Sequence, residues 1–186
     1  AKRFVEQLQA RKKDFLFVTN NSTKSPEEVA TNLATNFDIH VSPENIYTTA
    51  LATADYVADL DEKKRTIYPI GELGWKQALL DKGFRFEEYQ PDYVIVGVDY
   101  DVTYHKFELA TLAIKRGAKF IGTNADTNLP NERGLVPGAG SVIALVECST
   151  QQKATYIGKP EPIIMEKALK KIGLSKDEVI MVGDNY

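Results

Sequence analysis

Short apolar runs alternate with amphipathic stretches along almost the whole chain, and this rhythm most restricts what it can fold into. Phe15–Val18, Glu44–Tyr47, Thr66–Ile70, Tyr93–Gly97, Lys119–Thr123, Thr155–Gly158 and Val179–Val182 read as strands. Between them lie apolar residues of helical stretches: Val29, Leu33 and Phe37; Leu51, Ala54, Val57 and Ala58; Trp75, Leu79 and Leu80; Phe107, Ala110, Leu112 and Ile114; Val142 and Val146; Ile163, Ile164, Met165, Ala168 and Leu169. Strand–helix alternation of this kind packs as α/β layers with largely parallel pairing. Helix signals support it. Ser25-Pro26-Glu27-Glu28 carries an N-cap, a proline at the first helical position and the acid of a capping box. Gly83, Gly117 and Gly173 stand where helices stop.

Bulk properties exclude several classes of function. The 186 residues suffice for one sizeable domain or two small ones. Net charge is -3, from 23 basic and 26 acidic residues, which argues against a nucleic-acid or anionic-membrane partner. No apolar run approaches the roughly 20 residues of a membrane span. The one cysteine, Cys148, rules out an internal disulfide and fits a reducing cytoplasm. It falls in a helical run where packing is the expected role. His40 and His105 are expected on the surface, and Tyr68 and Trp75 in the core. The charge run Asp61-Glu62-Lys63-Lys64-Arg65 is a plausible domain boundary.

In open parallel sheets, ligands bind beyond the carboxyl ends of the strands. Three runs end in distinctive polar groups. The first delivers Thr19, Asn20, Asn21 and Ser22, just ahead of a fresh helix N-terminus. Hydroxyl, backbone amides and helix dipole together suit an anion. Thr155–Gly158 delivers Lys159, and Val179–Val182 delivers Asp184. An ammonium and a carboxylate suit a phosphate beside a divalent cation. Asn124 to Gly140 reads as one long loop, of the length usually kept for function.

Taken in order, these elements resemble the haloacid dehalogenase superfamily, in its NagD-like branch of 4-nitrophenyl-phosphatase and acid sugar phosphatase type. Val18-Thr19-Asn20-Asn21-Ser22 resembles the second motif of that family, and Ile157-Gly158-Lys159-Pro160-Glu161-Pro162 the third. Met181-Val182-Gly183-Asp184-Asn185-Tyr186 resembles the start of the fourth. Gly122-Thr123-Asn124-Ala125-Asp126 and Pro137-Gly138-Ala139-Gly140 resemble the cap loop.

The resemblance implies a Rossmann-like parallel-sheet core, residues 1–62 and 153–186, with an inserted α/β cap domain, residues 63–152. It implies magnesium-dependent hydrolysis of phosphate monoesters through an aspartyl-phosphate. Thr19 then binds the phosphoryl oxygens, Asn20 and Asn21 line the site, Lys159 holds nucleophile and phosphate together, and Asp184 helps bind magnesium. In the cap loop Asn124 and Asp126, with Asn128 and Arg133, are candidates for substrate contact. Vitamin B6 phosphatase relatives carry a histidine where Leu129 falls, which points away from pyridoxal phosphate and towards sugar or acid-sugar phosphates. The implied partner is a small phosphorylated metabolite in the cytoplasm, and a homodimer is compatible with the pattern.

The family's first motif, with both catalytic aspartates, lies ahead of the opening helix, and no residue of the chain matches it. The expectation is therefore an internal piece of a phosphatase, inactive by itself. The alternative is a non-catalytic phosphosugar-binding or regulatory module that kept Thr19 and Lys159.

Overall fold

The computed structural model describes residues 1–183. Helix α1 (Lys2–Ala10) leads to strand β1 (Phe17–Thr19), helix α2 (Pro26–Phe37), strand β2 (Ile46–Thr48) and helix α3 (Thr49–Leu60). Then follow β3 (Thr66–Ile70), α4 (Leu73–Asp81), β4 (Arg85–Phe86), β5 (Tyr93–Val96), α5 (Tyr104–Lys115) and β6 (Lys119–Gly122). A hairpin of β7 (Asn128–Asn131) and β8 (Gly134–Pro137) precedes α6 (Ala139–Thr150), β9 (Thr155–Tyr156) and α7 (Pro162–Ile172). β1 and β2 pair in parallel, Val18 opposite Tyr47. The larger sheet has the order β4-β3-β5-β6-β9, every neighbour parallel. The expected α/β class with a parallel sheet is the class observed.

The sheet is covered on both faces, which explains why β5 reads as an unbroken apolar run. Its side chains alternate. Tyr93 and Ile95 join one apolar cluster, with α3, α4 and α7 supplying Val57, Trp75 and Ile164. Val94 and Val96 join the other, with α5 and α6 supplying Leu109, Ile114 and Ile143. Burying an aliphatic side chain of this size stabilises the fold by roughly 1.5–3 kcal/mol. Trp75 and Tyr68 are core residues, as expected.

The first of these clusters also contains Tyr47 and Ala50, so apolar packing is continuous across the charge run at Asp61–Arg65. That run is a turn on the surface of a joined core, because α3 lies against the larger sheet.

Several details differ from the sequence reading. The ladder of the first strand is Phe17–Thr19, shifted towards the polar end, so Thr19 itself is a strand residue. The region 124–140 is not one loop. Its centre is an antiparallel hairpin with Leu129 opposite Val136 and Asn131 opposite Gly134, and Gly134 takes the positive φ of 124° that the turn needs. Prolines 130 and 137 masked this strand pair. The short edge strand β4 was unmarked by any apolar alternation. β9 is not a strand of the first sheet; it forms the edge of the larger sheet, pairing Tyr156 with Gly122. Residues 179–182 form no ladder among the described residues, and Ile180 and Val182 are 90% and 71% exposed. Cys148 is exposed, because it lies on the solvent side of α6. His40 and His105 are on the surface as expected. Among the described residues no helix is long and apolar enough to cross a membrane.

Candidate active site

The carboxyl ends of β1 and β6 converge on a cavity of about 230 Å³. Thr19, Asn20 and Asn21 line it from β1, and Asn124, Asp126 and Asn128 line it from the other side. Leu129 also faces it, at the position where the resemblance places a histidine in vitamin B6 phosphatases.

The loop after β1 is held by its own side chains. Thr19 Oγ1 accepts the N–H of Asn21 at 3.1 Å, which leaves the hydroxyl proton free for a ligand. The Thr19 carbonyl accepts from the Thr49 hydroxyl at 3.2 Å. Asn21 Oδ1 accepts from Thr23 N at 2.9 Å, Thr23 Oγ1 at 3.0 Å and Lys24 N at 3.3 Å, an Asx turn that fixes the curvature of the loop. Gly74, in the first turn of α4, backs it so closely that a Cβ would stand 2.6 Å from the Thr23 carbonyl oxygen.

The start of α2 does not serve the ligand as the sequence suggested. Ser25 Oγ accepts from Glu28 N at 3.2 Å and Glu28 Oε2 accepts from Ser25 N at 2.7 Å. Pro26 has no N–H, and Glu27 and Glu28 place two carboxylates on the first turn. The helix end is filled by its own capping box and its dipole is met by its own acids. The anion-binding character of this region therefore rests on the loop at 19–23.

Asn20 does something the sequence did not announce. Its Oδ1 accepts from Lys159 N at 2.7 Å, and its Nδ2 donates to Lys159 O at 2.9 Å. The same Nδ2 reaches the Asp126 carboxylate at 3.1 and 3.3 Å. In return Asn124 Nδ2 donates to the Asn20 carbonyl at 3.0 Å, while Asn124 Oδ1 accepts from Asp126 N at 3.1 Å. Thr19, Asn20, Asn21, Asn124, Asp126 and Lys159 are thus brought together. Arg133 is not; its exposed N–H closes the hairpin turn on Asn131 Oδ1 at 2.8 Å. Gly158 was missed as a site residue, although a glycine directly before Lys159 was the signal. A Cβ there would stand 2.7 Å from both Asn20 Oδ1 and Asn124 Cβ.

The chain does contain two Asp-x-Asp spacings, Asp59-Leu60-Asp61 at the end of α3 and Asp99-Tyr100-Asp101 after β5. Both are already engaged: Asp59 accepts from Lys167 Nζ and Lys170 Nζ at 2.8 Å and Asp61 from Lys63 N at 2.9 Å, while Asp99 accepts from Lys106 Nζ at 2.9 Å and from Asp101 N at 2.9 Å. Among the described residues no cluster of three or more His, Cys, Asp or Glu side chains could hold a metal ion. These residues alone do not make a magnesium site, and Asp184 lies outside them.

A strand-end pocket lined by a threonine hydroxyl and an Asx-turned loop, with Lys159 held to Asn20, places in an α/β protein donors that could receive a small anion. Comparison with known proteins makes this more specific. The model of the haloacid dehalogenase-like hydrolases matches residues 1–85, and a HAD-hydrolase-like model matches residues 156–186. The 5'-nucleotidase YutF of Bacillus subtilis is 45% identical over 183 residues, covering 98% of this chain and 71% of that protein. The acid sugar phosphatase of Staphylococcus epidermidis is 46% identical, covering 100% of this chain and 71% of that protein. A thermostable NPPase structure from Geobacillus stearothermophilus superposes with a TM-score of 0.94 at 54% identity, covering 100% of this chain and 72% of that one. NagD from E. coli K-12 superposes with a TM-score of 0.92 at 31% identity, with the same coverage. The chain belongs to the haloacid dehalogenase-like hydrolases, in their NagD-like branch, whose members named here include phosphatases.

Proposed function

We propose that this chain carries the phosphate-holding and substrate-selecting part of a magnesium-dependent phosphate-monoester hydrolase. Its substrates are small phosphorylated metabolites of the sugar or acid-sugar class, with 4-nitrophenyl phosphate as a substrate in vitro. The observation that carries this reading is the hold of Asn20 on the Lys159 backbone, one residue along from Thr19, which lines the cavity.

The Thr19 hydroxyl donates to a phosphoryl oxygen. The Lys159 ammonium balances the negative charge that the phosphate brings. Donors fixed before the reaction cost no reorganisation when charge develops. Asn124 and Asp126 face the leaving group from the opposite wall, where Leu129 adds an apolar surface. The attacking carboxylate is supplied from outside residues 1–186, since the chain's own Asp-x-Asp pairs are engaged elsewhere, Asp59 by Lys167 and Lys170, Asp61 by the Lys63 N–H and Asp99 by Lys106. Asp184 would help to hold a magnesium ion, which would supply charge neutralisation at the phosphate. In this reading residues 63–152 act as a cap on a core of residues 1–62 with 153–186, the two parts sharing the β6–β9 pairing and one apolar cluster, in a cytoplasmic enzyme.

A panel of phosphate esters with magnesium tests the reading. The natural full-length polypeptide is expected to hydrolyse 4-nitrophenyl phosphate and small sugar phosphates. Residues 1–186 alone are expected not to, because uncatalysed phosphate-ester hydrolysis is among the slowest reactions known. Magnesium-dependent turnover by residues 1–186 alone, or none by the full-length polypeptide, would contradict it.

A further inference from the structure

We propose that Asn20 is a positioning residue for Lys159, with its side-chain amide spent on the protein and none of it on the substrate. The proposal rests on the phosphatase reading, and it assigns this side chain a role different from lining the phosphate site.

An asparagine amide has one oxygen and two N–H groups. Here the oxygen takes the Lys159 N–H at 2.7 Å, one N–H serves the Lys159 carbonyl at 2.9 Å, and the other points to the Asp126 carboxylate at 3.1 Å. The orientation is unambiguous. Turning the amide over would set its oxygen against a carbonyl and a carboxylate, and its NH₂ against an N–H. Asn20 therefore treats Lys159 as a strand partner would, gripping both polar groups of one residue.

That grip falls where the larger sheet ends. Ile157 N and Gly158 N still donate to Gly122 and Thr123 carbonyls, at 3.0 and 2.8 Å. Lys159 is the next residue along, and its N–H goes to the side chain of Asn20 in place of a strand. The missing Cβ of Gly158 admits this, since a side chain there would collide with Asn20 Oδ1. A lysine ammonium sits on a flexible four-carbon stem. Fixing the peptide at its root relative to Thr19, one residue before Asn20, limits where that charge can reach.

The test uses the natural full-length polypeptide with 4-nitrophenyl phosphate and magnesium. Asn20→Ala is expected to lower kcat by about 10²-fold, the cost of a misplaced catalytic group. KM is expected to change by less than about 3-fold, since no substrate contact is lost. Asn20→Asp keeps the shape but cannot donate to Lys159 O and sets a second carboxylate against Asp126, and it is expected to lower kcat in the same way. Amide hydrogen exchange adds a reading independent of turnover: Lys159 N–H exchanges slowly in the wild type and faster in both variants. A raised KM with kcat preserved would overturn the proposal, making Asn20 a substrate ligand. So would unchanged exchange at Lys159. If the wild type hydrolyses no phosphate ester, the functional reading fails separately, while the exchange rates still decide the grip.

Discussion

Two strand ends in this molecule carry the same dipeptide. β1 ends in Thr19-Asn20 and β6 runs into Thr123-Asn124, and both face one cavity. The asparagines behave alike, each reaching across to the other segment: Asn124 holds the Asn20 carbonyl and Asn20 holds the Asp126 carboxylate. The threonines do not. Thr19 is half-buried, with its hydroxyl proton free at the cavity. Thr123 is fully buried, its Oγ1 has no partner among the described residues, and its side chain presses on Gly97, where a Cβ would stand 3.0 Å away. Strand-end chemistry alone does not make a ligand group. What separates the two is depth: β6 is interior to a five-stranded sheet with helices on both faces, whereas β1 has one strand neighbour among the described residues.

Substitutions can break this comparison, and the largest effect lies just outside it. Lys159→Ala in the full-length polypeptide is expected to lower kcat/KM for 4-nitrophenyl phosphate by about 10²–10³-fold, the usual loss when one charge-stabilising group is removed. Thr19→Val removes a hydrogen bond to a charged ligand, about 1.5–3 kcal/mol. That corresponds to a fall in kcat/KM of about 10–10²-fold, with a loss of about 0.5–1.5 kcal/mol of stability because the Asn21 N–H loses its acceptor. Asn124→Ala leaves the Asn20 carbonyl and the Asp126 N–H without their partners. It is expected to cost about 1–3 kcal/mol of stability, read as a lowered urea midpoint with the slope unchanged. Thr123→Val is the smallest change. An unpaired buried hydroxyl is replaced by a methyl of the same shape, so stability is expected to hold or rise by up to about 1 kcal/mol.

Much of this was legible in the sequence. The alternation of Ile67, Tyr93–Val96 and Phe120–Ile121 with helical stretches carried the α/β class, because a doubly covered sheet demands unbroken apolar strands. The capping box at Ser25 was readable because its partners lie within four residues. Its consequence was not. A filled cap withdraws the helix end from the ligand, and only the bonds between Ser25 and Glu28 reveal that it is filled. The hairpin at 128–137 was hidden by its prolines and polar residues, which signal a loop when read locally. The Asn20–Lys159 grip spans 139 residues of chain. No local pattern encodes such a contact; it appears only once β9 is placed at the edge of the larger sheet and α7 packs back towards β1.

The paired threonines offer the most direct test. In the full-length polypeptide, kcat/KM for 4-nitrophenyl phosphate would be measured for Thr19→Val and Thr123→Val side by side. If β1 ends in the phosphate-holding hydroxyl, the first falls by about 10–10²-fold and the second stays near wild type. Equal losses in both, or a wild-type rate for Thr19→Val, would contradict the assignment of the site to the end of β1.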